Sequence, residues 1–131
     1  MGKIMPDQEE PRGELEIRVL AMPADTNPSG DVFGGWLMSQ MDVAGGIAAD
    51  KRAKGRVATV AVTAMTFHRP VFVGDVLCCY VDIIKTGRTS ITTRVEAWVL
   101  RRSEVGQRIK VTEGIFTYVA IGEDRGPRSI E

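Results

Sequence analysis

The segment NPSGDVFGGWLMSQMDVAGGIAADK, residues 27–51, changes character at its glycine pair, from a turn-rich loop to an apolar pattern of helical period. Phe33, Leu37, Met41, Ala44 and Ala48 fall on one stripe, and Trp36, Val43 and Ile47 widen it, which predicts a helix of about five turns over 33–51. Inside that helix stand Asp42, Gly45 and Gly46, three residues that weaken helices. Each glycine costs ~1 kcal/mol relative to alanine, which suits a close approach by a backbone or a ligand. On a helical wheel Asp42 lies opposite the apolar stripe, among Met38, Gly45, Gly46 and Ala49. A solvated aspartate on an exposed face is the plainer reading of the same position.

No other segment reads as a convincing helix. ELEIRVLAM, residues 14–22, alternates as a strand and ends at Pro23. After AKGR the chain reads as four extended segments, roughly 56–68, 75–86, 89–102 and 108–121, separated by RPVFVGD, KTGR and RRSEVGQ. In the third, Ile91, Thr93, Val95, Ala97 and Val99 share one face, and Ser90, Thr92, Arg94 and Glu96 share the other. One helix with five antiparallel strands predicts an α+β domain whose sheet wraps along the helix. The domain spans 13–121, and the polar segments 1–12 and 122–131 are expected to be mobile tails.

With 131 residues and 44% hydrophobic content, the chain suits one domain with one core. Lys plus Arg and Asp plus Glu number 17 each, so no net field draws in nucleic acid or an acidic membrane surface. No apolar run approaches the ~18 residues of a membrane span, and the first residues lack a signal-peptide core, so the protein is expected in the cytoplasm, without membrane insertion. Cys78 and Cys79 are adjacent on an apolar strand, where alternation sends them to opposite faces, and they read as two buried, reduced thiols with no metal.

The loop NPSGDVFGG brings turn residues and a glycine pair to the start of the helix, where free amides and the positive end of the helix dipole can meet an anion or a polarised carbonyl. An ordinary N-terminal turn fits the same residues. Taken together, AMPADTNPSGDVFGGWLMSQMDVAGGIAA, GRVATVAVTAMTFHRPVFVGDVLCCY, KTGRTSI and TEGIFTYVAI resemble the YciA-like acyl-coenzyme A thioesterases of the hotdog fold, from about Gly13 to Ile121.

The resemblance implies a long helix wrapped by an antiparallel sheet, with subunits paired into a double hotdog and dimers assembled further into hexamers, as trimers of dimers. It implies hydrolysis of short- to medium-chain acyl-coenzyme A, with coenzyme A as part of the substrate and no separate cofactor. The family's catalytic carboxylate falls on Asp42, as general base or nucleophile, and its active-site asparagine on Asn27. Gly34 and Gly35 match the segment whose backbone amide holds the thioester oxygen.

Gly35 and Asp42 are seven residues apart on one helix, about 10 Å at ~1.5 Å per residue, too far for one helix to supply both groups to one carbonyl. An antiparallel two-fold partner closes that gap, so the site is expected to be shared, with Asn27 and the Gly35 amide from one chain and Asp42 from the other. Around the glycine turn of KTGRTS, Lys85, Gly87, Arg88, Thr89 and Ser90 offer donors suited to phosphate, although a solvated hairpin fits as well. The resemblance places that segment near the coenzyme A phosphates and pantetheine arm. Arg56 could reach the nucleotide end, and Trp36, Met38 and Met41 could line an acyl tunnel.

Two other readings stay open. One is a non-catalytic module that binds acyl-coenzyme A as a sensor. The other is a hotdog dehydratase using His68, the only histidine, although a packed or capping residue is the plainer reading of its position at a strand end.

Overall fold

The computed structural model describes residues 10–130. Most of the segment 1–12, expected as a tail, therefore lies outside the described residues. In chain order the elements are β1 (Glu14–Leu20), α1 (Gly34–Ala53), β2 (Val57–Phe67), β3 (Val76–Thr86), β4 (Ser90–Leu100) and β5 (Arg108–Ala120), with single 3-10 turns at Pro23–Asp25 and Arg102–Glu104. The strands form one antiparallel sheet in the order β1-β3-β4-β5-β2. The helix and five-strand sheet predicted from periodicity are present, with boundaries shifted by one or two residues.

Helix α1 packs against all five strands. Its buried face is made of Leu37, Met41, Ala44, Gly45, Ala48, Ala49 and Ala53. Large side chains fill the first half of that face, and small ones let the second half lie close to the strands. Leu77, Cys79, Val81, Ile91, Val95, Val99, Val111, Phe116 and Tyr118 complete the core from the sheet side. Val43 and Ile47, expected to widen the buried stripe, are instead 53% and 37% exposed, and Phe33 stands exposed at the N-cap. The buried face runs through Gly45, Ala49 and Ala53, because a curved sheet admits a helix face of small residues more closely than one of β-branched residues.

The helix ends where Lys54 takes a left-handed conformation, φ 56°, and its backbone N–H donates to the Asp50 carbonyl. Residues 122–130, expected as a tail, fold back onto the domain. The Arg128 guanidinium donates to the Ala53 carbonyl at 2.9 Å, one of the helix's last acceptors, and the Ile130 amide donates to Arg88 at 3.0 Å. Polar composition concealed this docking, since its contacts are backbone bonds, one long cation and a single apolar side chain, Ile130, packed against the core.

The sheet has two unlike edges. Strand β1 is seven residues long and carries Glu14, Glu16 and Arg18. Strand β2 is eleven residues long, VATVAVTAMTF, without a single charge, and Val60, Val62 and Phe67 are exposed on it. Register shifts interrupt β2 between Thr59 and Ala61 and between Thr63 and Thr66; in the second, Ala64 has φ 51°, a left-handed conformation that costs a non-glycine residue roughly 1–2 kcal/mol.

Cys79 joins the helix-side core, and burial, with the neighbouring Cys78, pushes its thiol up to about 12. Cys78 is buried opposite Trp98, and both thiols are free. The sheet face away from the helix holds Glu96, 1% exposed, where Arg12 Nε lies 2.7 Å from one carboxylate oxygen and Trp98 Nε1 donates to the other at 3.0 Å. Burial pushes this carboxyl up, but the donors from Trp98 and Arg12 and the charge of Lys110 together outweigh it and hold Glu96 below the ordinary glutamate range.

Because the folded-state value lies below the unfolded one, the stabilisation from Glu96 is complete above the usual value of 4.5 and is lost as pH falls through the folded-state value. Urea midpoints should hold steady from pH 7 to about 5 and fall at more acid pH, and Glu96→Gln should flatten that fall while costing ~2 kcal/mol at pH 7. A fall of equal steepness in the variant would exclude Glu96 as its source.

Candidate active site

Asp42 sits half-buried in the middle of α1. Its Oδ1 accepts two hydrogen bonds, from Thr59 Oγ1 at 2.8 Å and from the Tyr118 hydroxyl at 3.0 Å, while the same hydroxyl lies 2.8 Å from the Asp42 carbonyl. No described residue bonds to Oδ2. Thr59 lies on the edge strand β2, so the carboxylate stands beside the unpaired edge of the sheet.

Tyr118 explains Gly45. It alternates inward on β5 beneath the helix, and a Cβ at Gly45 would collide with its hydroxyl and stand 3.0 Å from Cζ. Gly46 is different, since a Cβ there would meet the ring at 3.8 Å, an ordinary contact. The close approach predicted for this face is therefore made by a neighbouring strand's side chain. Burial, then the charge and hydrogen bond of Asp42, push the Tyr118 phenol above its ordinary range, so it remains a donor.

The helix starts without a side-chain cap. Gly34 and Gly35 are exposed, a Cβ at Gly35 would meet nothing within 4 Å, and no described group accepts from the amides of Gly34, Gly35 or Trp36. Those amides are the orphan donors of a helix N-terminus, and the absence of side chains leaves them open to a ligand. A hollow of about 270 Å³ adjoins them, lined by Val32, Gly34, Leu37, Phe67, His68 and Val71 among others.

The loop before the helix is pinned by Phe33 N–H to Asp25 O at 2.9 Å and Val32 N–H to Val71 O at 3.0 Å. Within it Asn27 Oδ1 accepts from the Ser29 and Asp31 amides at 3.0 and 3.1 Å. Asn27 thus makes the turn that its residue type suggests. The same bonds orient its Nδ2, which has no partner among the described residues.

The remaining predicted residues gather at the other end of the helix. Lys85, Gly87 and Arg88 are exposed on the β3–β4 hairpin, Thr89 and Ser90 are half-buried, and the Gly87 amide closes the turn on Ser90 O at 2.8 Å. Arg56 is exposed beside a groove of about 450 Å³ lined by Val43, Gly46, Ile47, Asp50, Lys51 and Val57. The end of β5 and the docked C-terminal segment join these parts: Ile121 bonds to Arg56 and Ala120 to Thr89, and Ile130 bonds to Arg88, all through the backbone.

One chain therefore brings Asn27, Gly34, Gly35 and Trp36 together at the helix start, and Arg56 with the hairpin at its end, with Asp42 between and in neither group. His68 Nε2 lies 3.1 Å from Glu113 Oε2, at the far end of β2 from Thr59. A further hollow, about 850 Å³, lies between the loops around Phe72 and Val105 and includes none of these residues. Among the described residues no three of His, Cys, Asp and Glu are placed to hold a metal, and no helix is long and apolar enough to cross a membrane.

A family model described as the thioesterase superfamily matches residues 29–105. The chain is 57% identical to the acyl-CoA thioester hydrolase YciA of Salmonella typhimurium, over 92% of either chain. Among solved structures it is similar to the hexameric thioesterase y2039 from Yersinia pestis, with 57% identity, TM-score 0.89 and coverage of 93% of this chain and 98% of that one. It is also similar to HI0827, a hexameric broad specificity acyl-coenzyme A thioesterase, with 49% identity, TM-score 0.88 and coverage of 94% and 84%.

Gly45→Ala should destabilise the protein by ~1–3 kcal/mol in urea unfolding, by forcing Tyr118 out of its slot. In a Tyr118→Phe background, which removes the colliding oxygen, the same change should cost measurably less. Equal costs in the two backgrounds would assign the need for glycine to something other than this contact.

Proposed function

The chain belongs to the thioesterase superfamily, and from that membership we propose that it hydrolyses short- to medium-chain acyl-coenzyme A thioesters at a site shared by two protomers. The observation that carries the reading is the state of Asp42. It is a carboxylate with one oxygen bonded to two hydroxyls and the other without a partner among the described residues, beside the uncharged edge strand β2, whose outer side is unpaired. A module that only bound acyl-coenzyme A would gain nothing from presenting an open carboxylate oxygen to a thioester.

Two copies pair along β2, which also covers the exposed Val43 and Ile47 on the flank of the helix. An antiparallel partner then brings its Asp42 to the helix start of the first chain. This arrangement bridges the about 10 Å between Gly35 and Asp42 on one helix. Three such dimers form a hexamer, the assembly stated for both solved relatives described above.

The thioester carbonyl oxygen lies on the Gly35 amide at the positive end of the helix, and those donors stabilise the negative charge that develops on it. Asn27 Nδ2 donates to the same carbonyl or to the attacking water. Asp42 Oδ2 takes the proton of that water as its oxygen bonds to the carbonyl carbon. The tetrahedral intermediate then expels the thiolate, which takes up a proton, leaving a free acid and coenzyme A.

The alternative route, direct attack by Oδ2 to give a mixed anhydride, is separated by a single turnover in oxygen-18 water: label in the Asp42 peptide marks it, and unlabelled Asp42 excludes an anhydride opened by water at the aspartyl carbon. Trp36 and Met38, both half-buried, face the acyl chain. Lys85, Gly87, Arg88, Thr89, Ser90 and Arg56 bind the phosphates and pantetheine arm. The reaction needs no further cofactor, since coenzyme A arrives with the substrate.

Asp42→Ala should lower kcat by about 10²–10⁴-fold and Asn27→Ala by about tenfold or more, measured as thiol release from butyryl-coenzyme A. Mixing the two impaired variants in equal amounts should make half of the dimers mixed, each with one intact site, and raise activity to about a quarter of the parent's. No recovery despite demonstrated subunit exchange would exclude the shared site.

A further inference from the structure

Position 118 is occupied by a tyrosine at a cost that packing alone does not explain. Its side chain is buried, and a buried phenol needs a partner for its hydroxyl. That hydroxyl fits only because the helix gives up a side chain at Gly45. A phenylalanine would need no hydrogen-bond partner and would remove the hardest contact with an alanine above it, leaving ring carbons 3.0 and 3.1 Å from that Cβ, which a small shift can relieve. What the pair achieves is hydrogen bonding of the hydroxyl to one residue, through the Asp42 carbonyl at 2.8 Å and Asp42 Oδ1 at 3.0 Å.

The phenol has one hydrogen for these two acceptors; the Asp42 carbonyl already accepts from the helical ladder, and the carboxylate oxygen is the stronger acceptor, so the hydrogen is drawn to Oδ1. The carboxylate has no donor from that ladder. A free aspartate on a helix flank turns among rotamers, and its two oxygens exchange roles. Thr59 alone leaves rotation about its single bond. A second donor, from a different strand, fixes the plane of the group.

We propose that Tyr118 is a positioning residue of the hydrolytic site: its hydroxyl, passing through the gap at Gly45, works with Thr59 to fix the Asp42 carboxylate with Oδ1 occupied and Oδ2 presented to the reacting centre. This rests on the reading of Asp42 as the reacting carboxylate. Because Oδ1 accepts from both hydroxyls, the proton drawn from water in each turnover resides on Oδ2. From there it is delivered to the departing thiolate. Tyr118 itself neither gains nor loses a proton.

Tyr118→Phe keeps the ring and removes the oxygen. With butyryl-coenzyme A its kcat should fall about tenfold or more, as for other residues that orient a reacting group through a hydrogen bond, while KM stays within about twofold and the fold is retained by circular dichroism. The chain has two tyrosines, Tyr80 and Tyr118, so uniform 3-fluorotyrosine incorporation in a Tyr80→Phe background labels position 118 alone. That protein keeps the hydroxyl and should hold kcat within about threefold of the parent, and its fluorine resonance should move when Asp42→Asn is added.

A Tyr118→Phe enzyme with kcat within about twofold of the parent, or a fluorine resonance indifferent to Asp42→Asn, overturns the proposal. If Tyr118→Phe does not fold, the fluorine resonance decides. Asp42→Asn separates the two levels: an active Asp42→Asn enzyme refutes the reading of Asp42 itself, whereas an inactive one beside a fully active Tyr118→Phe enzyme refutes only the role of Tyr118.

Discussion

A twenty-residue helix can lie against a curved five-strand sheet only if its inner face carries little bulk where the two come closest, and α1 meets that condition with Ala44, Gly45, Ala48, Ala49 and Ala53. Everything else at the candidate site follows from this closeness. It brings Tyr118 of β5 and Thr59 of β2 within reach of one helical aspartate. It also turns Val43 and Ile47 outward, onto the flank where a second protomer is proposed to sit.

Local periodicity made the architecture legible. The helix and strands appear where apolar spacing changes from 3.6 to 2, and the turns where glycine, proline and charge interrupt it. Candidate site residues were legible for a different reason, the likeness of whole motifs to a family of enzymes. Thr59 and Tyr118 were missed as partners of Asp42, because they lie 17 and 76 residues away and nothing in the spacing joins them. One signal was available: Gly45 follows Asp42 by three positions, so a side chain filling the gap above Gly45 would also reach Asp42. Residues 122–130 were misread because polar composition says little about a segment held by backbone bonds.

The proposed role of Asn27 would let a structural and a chemical task share one amide. Its oxygen accepts two backbone amides and shapes the loop, which leaves the nitrogen aimed and unbonded among the described residues. A residue with one polar atom could do either task; the amide supplies an acceptor for one and a donor for the other. Asp42 divides its two oxygens in the same way, one held by the protein and one open.

The unlike edges of the sheet limit how far it can grow. Uncovered strands are templates for polymerisation, and a protein with two adhesive rims would extend into fibrils. Here the acidic and basic side chains of β1 guard one rim, while the uncharged β2 leaves the other receptive, with its left-handed Ala64 restricting the registers a newcomer could adopt. A particle with a single receptive rim is satiated by one copy of itself, so under the proposed pairing accretion by this route would halt at ten strands.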